Sequence, residues 1–325
     1  MKELSLSVLD LCPILSGKTA RESFTNSVEL AQFTEELGFE RFWIAEHHNM
    51  EGIGSSAPEV LISHVAENTK RIRIGSGGIM FPNHSTYHVA EVFRTLEALY
   101  GRIDLGIGRA PGSGSRAAHA LRRSTDLSAE NFPREVEDLL HYLQDELPLL
   151  AVPTNISLPE VWMLGSSDFG ALLAAKMGLP YSFAQHFSGH SAIPIMKMYR
   201  DEFRPSRFLA QPKVTMGCHV ILAETDEEAE ELALSSDLSF IKFVQTGKSM
   251  PLPTVEEAKK SGLSREDSQQ VRLTMPKFVG SKEKVARELS PYLNSGISGI
   301  VVTSMIHDQK KRQHSYRLLR EIFPT

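Results

Sequence analysis

Glu46, His47 and His48 stand together directly after a short apolar run at residues 39–45 that is typical of a β-strand. A neutral imidazole can exchange protons near pH 7. Adjacent residues of an extended chain point to opposite faces, so His47 and His48 cannot chelate one metal ion together, and no HExxH or CxxC motif accompanies them. The pattern favours one histidine facing a site of acid–base chemistry; the alternative is a passive polar residue. No metal is expected.

A glycine-rich segment, GIGRAPGSGSR at residues 106–116, follows another strand-like run and contains Arg109. Backbone N–H groups and a fixed guanidinium charge can together bind a phosphate. The glycine spacing is G-x-G-x-x-x-G, which differs from the dinucleotide-binding fingerprint. An ordinary glycine-rich loop is therefore the alternative to a ligand site.

A further candidate is LGSSDFGALLAA, residues 164–175, where a strand gives way to a helix. Ser166, Ser167 or Asp168 is expected to cap that helix. A helix N-terminus directs unpaired N–H groups and the positive end of its dipole at an anion. The segment is either another part of an anion site or a case of ordinary N-capping.

Three glycines interrupt a strand-like run at residues 75–80, GSGGIM. Glycines inside a strand weaken it and are typical of a bulge, or of the close approach of another backbone or a flat group. A planar ring is the natural candidate for that group.

Eight strand-like runs alternate with helical patterns along the chain. The strand-like runs are 4–10, 39–45, 71–80, 103–108, 159–165, 179–184, 213–222 and 296–304, and the helical patterns include 20–37, 57–68, 89–100, 168–177, 191–203 and 308–322. Eight such units predict a (β/α)8 TIM barrel, an α/β fold with a single domain over residues 1–325. Six or seven units would instead give an open doubly wound sheet. In a barrel, chemistry collects at the C-terminal ends of the strands, where the candidates above lie.

A long insertion, residues 223–280, separates the last two predicted strands. It contains an acidic helix, TDEEAEELAL, and a connection punctuated by glycine and proline, QTGKSMPLPTVEEAKKSG. A segment of this length beside the catalytic face is either a lid or a solvated helical appendage.

Composition limits the function classes. The chain has 325 residues, 41% of them hydrophobic and 23% charged, as is ordinary for a globular protein. The formal net charge is −5 and the basic residues are spread along the chain, so nucleic acid is not an expected partner. Without a signal-peptide core or an 18-residue apolar run, and with two cysteines, the chain is expected to be cytoplasmic and not bound to a membrane.

Together these residues resemble the bacterial luciferase-like flavin monooxygenase family. Five ordered blocks carry the resemblance: FWIAEHHN, RIRIGSGGIMFPNHSTYHVAE, GRIDLGIGRAPG, WMLGSSDFGALLAAKMGLPYSFA and TSMIHDQKKRQHSYRLL. The resemblance implies a TIM barrel that binds reduced FMN at its C-terminal face and uses O2 to oxygenate an aldehyde, a ketone or another small organic molecule. It also implies a separate flavin reductase and a homodimer.

The same resemblance assigns roles to individual residues. His47 corresponds to the catalytic histidine of the family, and Glu46 to a carboxylate near the flavin. Gly77 and Gly78 correspond to a bulged strand in which a cis peptide often lies against the isoalloxazine ring. Arg109 corresponds to the arginine that meets the flavin phosphate. The other expected cofactor contacts are Gly165, Ser166, Ser167, Phe169 and Gly170.

Other interpretations stay open at this point. A deazaflavin (F420)-dependent oxidoreductase would use the same barrel for hydride transfer without O2, and a non-catalytic flavin-binding protein would share the site but not the reaction. A zinc hydrolase built on a barrel is a further alternative. His84, His186 and His190 also lie near predicted strand ends or loops, where polar filler is the favoured interpretation. The pattern leaves the substrate open, and whether His47 donates or accepts a proton.

Overall fold

The computed structural model describes residues 4–110, 115–122 and 130–323. The β-strands in these ranges are β1 Ser5–Asp10, β2 Arg41–Ile44, β3 Arg73–Met80, β4 Ile103–Gly108, β5 Glu160–Gly165, β6 Tyr181–Ala184, β7 Val214–Leu222, β8 Lys277–Gly280 and β9 Gly299–Thr303. The bounds of the eight predicted strands are correct to within three residues.

The helices cover the outside of the sheet. They are α1 Ala20–Glu36, α2 Pro58–Glu67, α3 Thr86–Tyr100, α4 Ser115–Arg122, α5 Phe132–Leu143, α6 Asp168–Met177, α7 Ala192–Glu202, α8 Asp226–Thr246, α9 Val255–Lys260, α10 Arg265–Thr274, α11 Lys282–Leu293 and α12 Gln309–Ile322, with short 3-10 turns at Phe81–Asn83 and Gln185–Phe187. α3 ends at Gly101, whose φ of 64° is a left-handed conformation that glycine adopts without strain. Among the described helices, none has the length and apolar character needed to span a bilayer.

Eight of the strands form a closed, all-parallel barrel in the ring order β1, β2, β3, β4, β5, β6, β7 and β9. The pairing of β6 with β7 closes the ring, with Tyr181 opposite Val214. The prediction of a (β/α)8 TIM barrel is confirmed, and the open doubly wound sheet is wrong. Because all strands run the same way, their C-terminal ends meet at one face of the barrel.

A short strand outside the ring was not predicted. β8 lies within the insertion and pairs with β7 alone, which places Lys277 opposite His219. The C-terminal end of β7 extends beyond its neighbours in the ring, and β8 pairs with this end. The sequence KFVG is only four residues long, which is too short to show an alternating pattern. α9 likewise lies where a connection punctuated by glycine and proline was predicted, and α4 and α5 were not predicted.

The N-terminal end of the barrel is closed by a group of buried side chains, the barrel floor. The Trp43 and Trp162 rings pack edge to face with centroids 5.2 Å apart. Asp104 accepts hydrogen bonds from Arg41 Nη1 at 2.5 Å, Arg73 Nε at 2.7 Å and Trp43 Nε1 at 2.9 Å. Pairing with two guanidinium groups compensates the fully buried Asp104 carboxylate for its lost hydration. The barrel is therefore packed at this end and can hold a ligand only at the other.

Candidate active site

A cavity of about 580 Å³ lies at the C-terminal ends of the barrel strands. The predicted site residues that line it are Glu46, His47, Gly77, Gly78, Arg109, Gly165, Ser166, Ser167 and Gly170. Phe169 is the exception; it contacts the cavity only through Arg109, whose Cζ lies 4.4 Å from the centre of the Phe169 ring. Residues that are far apart in sequence thus meet in one cavity.

Glu46 is a buried carboxylate that accepts three hydrogen bonds. Its Oε1 lies 2.6 Å from His48 Nε2 and 2.7 Å from His84 Nε2, and its Oε2 accepts from the Met80 N–H at 2.7 Å. Burial alone would raise the pKa of Glu46, but the hydrogen bonds from His48 and His84 and the Met80 N–H together lower it to about 2. Glu46 is therefore ionised at neutral pH.

An ionised carboxylate can only accept hydrogen bonds, so His48 and His84 each carry a proton on Nε2. The three ligand atoms lie within 4.8 Å of one another, close enough for one metal ion, yet this hydrogen bonding accounts for their arrangement without a metal. Glu46 thus ties the loop after β2 to the end of β3. The favoured interpretation of His84 as polar filler missed this contact.

His47 points into the cavity, unlike its neighbour His48. Its Nδ1 is buried and has no hydrogen-bond partner among the described residues. Burial lowers the pKa of His47 to about 4, with a smaller opposing effect from the Glu46 charge. The imidazole is therefore neutral at pH 7, and the described residues leave its Nδ1 without a hydrogen bond.

Two further histidines line the cavity. His186, in the turn after β6, is buried and lies against the Gly217 backbone of β7. His219, on β7, accepts a hydrogen bond from the Met305 N–H at Nε2, at 3.3 Å. Burial lowers the pKa of both rings, so both are neutral. Sequence reasoning interpreted His186 as filler and did not consider His219.

Gly77 and Gly78 form a section of cavity wall without side chains. The predicted bulge is present as a register shift between Ser76 and Ile79, and the Gly77–Gly78 peptide bond is cis. A Cβ atom at Gly77 would lie 2.6 Å from Leu9 Cδ1 and 2.9 Å from Trp43 Cβ. The packing of the barrel itself therefore requires glycine here, and the cavity gains a flat backbone surface.

Arg109 stands at the end of β4, next to the start of α6. It is half-buried, and among the described residues no carboxylate lies within ion-pair distance of it. Gly108 precedes it and also lines the cavity, and a Cβ atom there would have the Ile79 carbonyl oxygen as its nearest neighbour, at 3.9 Å. This part of the cavity thus combines free volume with a positive charge that no described carboxylate pairs with.

The start of α6 lies beside this charge. Ser167 is the N-cap residue, but its side chain makes no capping hydrogen bond, whereas Asp168 Oδ1 accepts from the Phe169 N–H at 2.8 Å. The Tyr181 hydroxyl donates to the carbonyl oxygens of Gly165 and Ser167, at 3.1 Å each, and so fixes the turn. The Ser166 and Ser167 hydroxyls and the remaining N–H groups of the first turn are suited to an anion.

The insertion, residues 223–280, supplies another wall of the cavity. Its lining residues are Ser236, Ser239, Phe240, Phe243, Ser249, Met250, Leu252, Met275 and Lys277. This part of the insertion is therefore not a solvated appendage. Its movement as a lid stays a prediction.

Comparison with known proteins identifies the family. Residues 6–299 match the family described as luciferase-like monooxygenase. The chain belongs to the luciferase-like monooxygenase family. Membership in this family, together with its monooxygenase relatives, makes the chain an oxidoreductase.

Similar proteins cover nearly the whole chain. A protein named luciferase-like monooxygenase from Escherichia coli (strain K12) is 40% identical over 99% of this chain and 97% of its own length. The N-acetyl-S-alkylcysteine monooxygenase of Bacillus subtilis (strain 168) is 32% identical over 98% of each chain. The crystal structure of apo-MsnO8 is 37% identical, covers 99% of this chain and 98% of its own, and has a TM-score of 0.92.

More distant solved structures share the fold alone. The oxygenating constituent of 3,6-diketocamphane monooxygenase from Pseudomonas putida, in complex with FMN, is 17% identical over 98% of this chain and 97% of its own, with a TM-score of 0.72. An F420-dependent secondary alcohol dehydrogenase is 12% identical over 99% of this chain and 100% of its own, with a TM-score of 0.66. The same barrel thus occurs with both kinds of cofactor.

Proposed function

We propose that this chain binds reduced FMN in the cavity and uses it with O2 to oxygenate a small organic substrate such as an aldehyde or ketone. One observation carries the proposal: the cavity is lined both by an arginine at a helix N-terminus, without a described carboxylate partner, and by a histidine whose buried Nδ1 has no partner among the described residues. The phosphate of a cofactor would pair with the arginine and the helix N-terminus, and the histidine would take part in proton transfer beside that cofactor.

The residues present fit the proposed cofactor. Gly108 leaves open space next to Arg109, where any side chain would project into the cavity. The wall at Gly77 and Gly78 has no side chains and is suited to a planar ring. Arg109 and the start of α6 offer charge and N–H donors suited to a phosphate. Glu46 already accepts hydrogen bonds from three donors of the protein, so we assign it the positioning of the loop that carries His47 rather than direct contact with the flavin.

In this proposal each residue has a separate task. Reduced FMN, when bound, supplies the electrons with which one oxygen atom of O2 is transferred to the substrate. Arg109 and the Ser166–Ser167 turn hold the phosphate. His47 holds or moves a proton at Nδ1, and because its ring is neutral at pH 7 it can accept one there. Trp43 and Leu9 in the lower wall of the cavity keep water away from that exchange.

The relatives support an oxygenase over the alternatives. The Bacillus subtilis relative is named as a monooxygenase of N-acetyl-S-alkylcysteine, which makes thioethers a class to screen beside aldehydes and ketones. The relatives at 32% and 40% identity carry monooxygenase names, whereas the F420-dependent dehydrogenase shares only the fold, at 12% identity. Deazaflavin-dependent hydride transfer and non-catalytic flavin binding are therefore outcomes to exclude by experiment.

The decisive experiment measures cofactor affinity. We expect Arg109→Ala to weaken the binding of reduced FMN by about 1.5 to 3 kcal/mol, the contribution of a hydrogen bond to a charged group, in anaerobic titration calorimetry. Arg317→Ala is the matched control, because Arg317 also lies over a phenylalanine ring, that of Phe33, but does not line the cavity. Equal FMN affinity of the wild type and Arg109→Ala would contradict the assigned phosphate site.

Two further measurements separate the alternatives. Tighter binding of coenzyme F420 than of FMN would favour the deazaflavin-dependent enzyme. Binding of FMN without substrate-dependent O2 consumption, across aldehydes, ketones and thioethers, would favour a non-catalytic flavin-binding protein. The cytoplasmic location, the separate reductase and the homodimer are part of the proposal, and size-exclusion chromatography with light scattering tests the last.

A further inference from the structure

Lys277 brings a positive charge into the cavity from outside the barrel ring. It is the first residue of β8 and lies opposite His219 of β7, so the insertion strand places it at the cavity wall. The side chain is 2% exposed. Burying an ammonium group costs free energy unless its N–H groups donate hydrogen bonds, so each acceptor around Lys277 contributes to keeping the charge there.

The described partners of Lys277 account for two of its three ammonium protons. Nζ donates to Ser236 Oγ at 2.8 Å and to Asp237 Oδ1 at 2.6 Å. Asp237 also accepts from Arg272 at 2.9 Å, so its single negative charge is shared between two cations. Arg272 has Glu230 as a second carboxylate partner, at 2.6 Å, whereas Asp237 is the only carboxylate that the described structure places at Lys277.

The cavity that Lys277 lines has many apolar residues. The apolar residues that the insertion and the neighbouring loops contribute are Phe187, Phe240, Phe243, Met250, Leu252, Met275 and Met305. The nearby His186 and His219 are neutral because burial lowers the pKa of each. Arg109, the other cation of the cavity lining, follows β4, three positions away from β7 around the ring. The cavity therefore has two separate cationic points with an apolar region next to the second.

We propose that Lys277 is a specificity-determining residue that binds a carboxylate head group of an otherwise apolar substrate. This inference rests on the proposed function, in which Arg109 is occupied by the cofactor phosphate. A carboxylate at Lys277 would accept a hydrogen bond from the third ammonium N–H and add a second negative charge beside the one that Asp237 shares between Lys277 and Arg272. The phenyl and thioether side chains of the insertion would cover the apolar part of the substrate.

The test compares two probes that differ only in the head group, octanoate and octanamide. Each is titrated calorimetrically into protein saturated with FMN. We expect wild-type protein to bind octanoate at least about tenfold more tightly than octanamide, which corresponds to one charge-assisted hydrogen bond. Lys277→Met should lose this preference by weakening octanoate binding while leaving octanamide affinity within about twofold.

Two more variants keep the test sharp. Lys277→Gln retains an N–H donor for Asp237 and lacks the charge, so it should lose the preference even if Lys277→Met does not fold. Lys259→Met removes an exposed lysine of the same insertion, paired with Glu231 at 2.7 Å and absent from the cavity lining, and should keep the preference.

Two results would overturn the inference. One is a wild-type protein that binds FMN but does not prefer octanoate, and the other is a Lys277→Gln variant that keeps the full preference. Either would make Lys277 only a structural partner of Asp237 and leave the proposed function intact. Failure of the wild type to bind FMN would instead refute the proposed function, and the inference with it.

Discussion

Replacing Glu46 by glutamine tests the interpretation of the site as a carboxylate surrounded by donors. Oε1 accepts from His48 and His84 and Oε2 from the Met80 N–H, so an amide NH2 in either orientation faces an N–H donor. Leaving a buried donor without an acceptor costs about 1 to 3 kcal/mol. The same hydrogen bonds lower the pKa of Glu46 from 4.5 to about 2, which corresponds to about 3 kcal/mol. We therefore expect Glu46→Gln to lower the free energy of unfolding by about 2 to 3 kcal/mol at pH 7.

The pH dependence of this effect follows from the sign of the shift. The pKa of Glu46 is lower in the folded than in the unfolded chain, so its contribution is present above pH 4.5 and is lost as the pH falls toward 2. Glutamine has no such titration. The difference in stability between the wild type and Glu46→Gln should consequently be about 1 kcal/mol smaller at pH 3.5 than at pH 7.

Urea denaturation at these two pH values measures both quantities. Glu224→Gln is the matched control, because Glu224 pairs with His314 at 2.9 Å in an exposed position, where the change should be below about 0.5 kcal/mol. A Glu46→Gln variant as stable as the wild type would refute the reasoning. It would mean that the two imidazoles accept hydrogen bonds at Nε2 instead of donating them.

Three further outcomes are expected. His47→Ala should fold and bind FMN but lower the rate of substrate oxygenation by about 10²-fold or more, and an unchanged rate would remove His47 from proton transfer. Gly108→Leu should weaken FMN binding at least about tenfold while changing the free energy of unfolding by less than about 1 kcal/mol, because its side chain would enter open cavity space. Burial lowers the pKa of His47 to about 4 and also lowers the pKa values of His186 and His219. The unfolded chain therefore binds more protons than the folded chain below about pH 6.5. The free energy of unfolding should consequently be lower at pH 5 than at pH 7.5, and the contribution of His47 alone to this decrease should be about 2 kcal/mol.

The barrel was predictable because its units are regular. β4 and α6 have the bounds that their residue patterns predict, 103–108 and 168–177. The amphipathic helix α5 could have been found as well, since Phe132, Val136 and Leu139 recur at helical spacing and are buried. β8 is different, because four residues show no period and its pairing with β7 depends on how far β7 extends beyond the ring.

The site was predictable only where a single segment carries the signal. The glycines of β3 predicted the bulge from their own residue types, whereas the anion site expected at the start of α6 stays a prediction. The contact between Glu46 and His84 depends instead on the register of β2 against β3 and on the 3-10 turn Phe81–Asn83. The spacing of apolar residues in the sequence predicts neither the register nor the turn. The exposure of His186 to the cavity depends in the same way on the turn Gln185–Phe187.

The barrel floor also limits how molecules enter and leave. Trp162 is fully buried and Arg41 is 3% exposed, so passage from below is blocked by packed side chains. The exposed rings of Phe187 and Phe243 line the cavity and mark the opposite end as the route from solvent. In the proposed function, cofactor and substrate would both enter the described cavity at this end, and the molecule that binds in its outer part would have to bind second. The proposal therefore predicts an ordered binding sequence, in which an excess of substrate slows the binding of FMN.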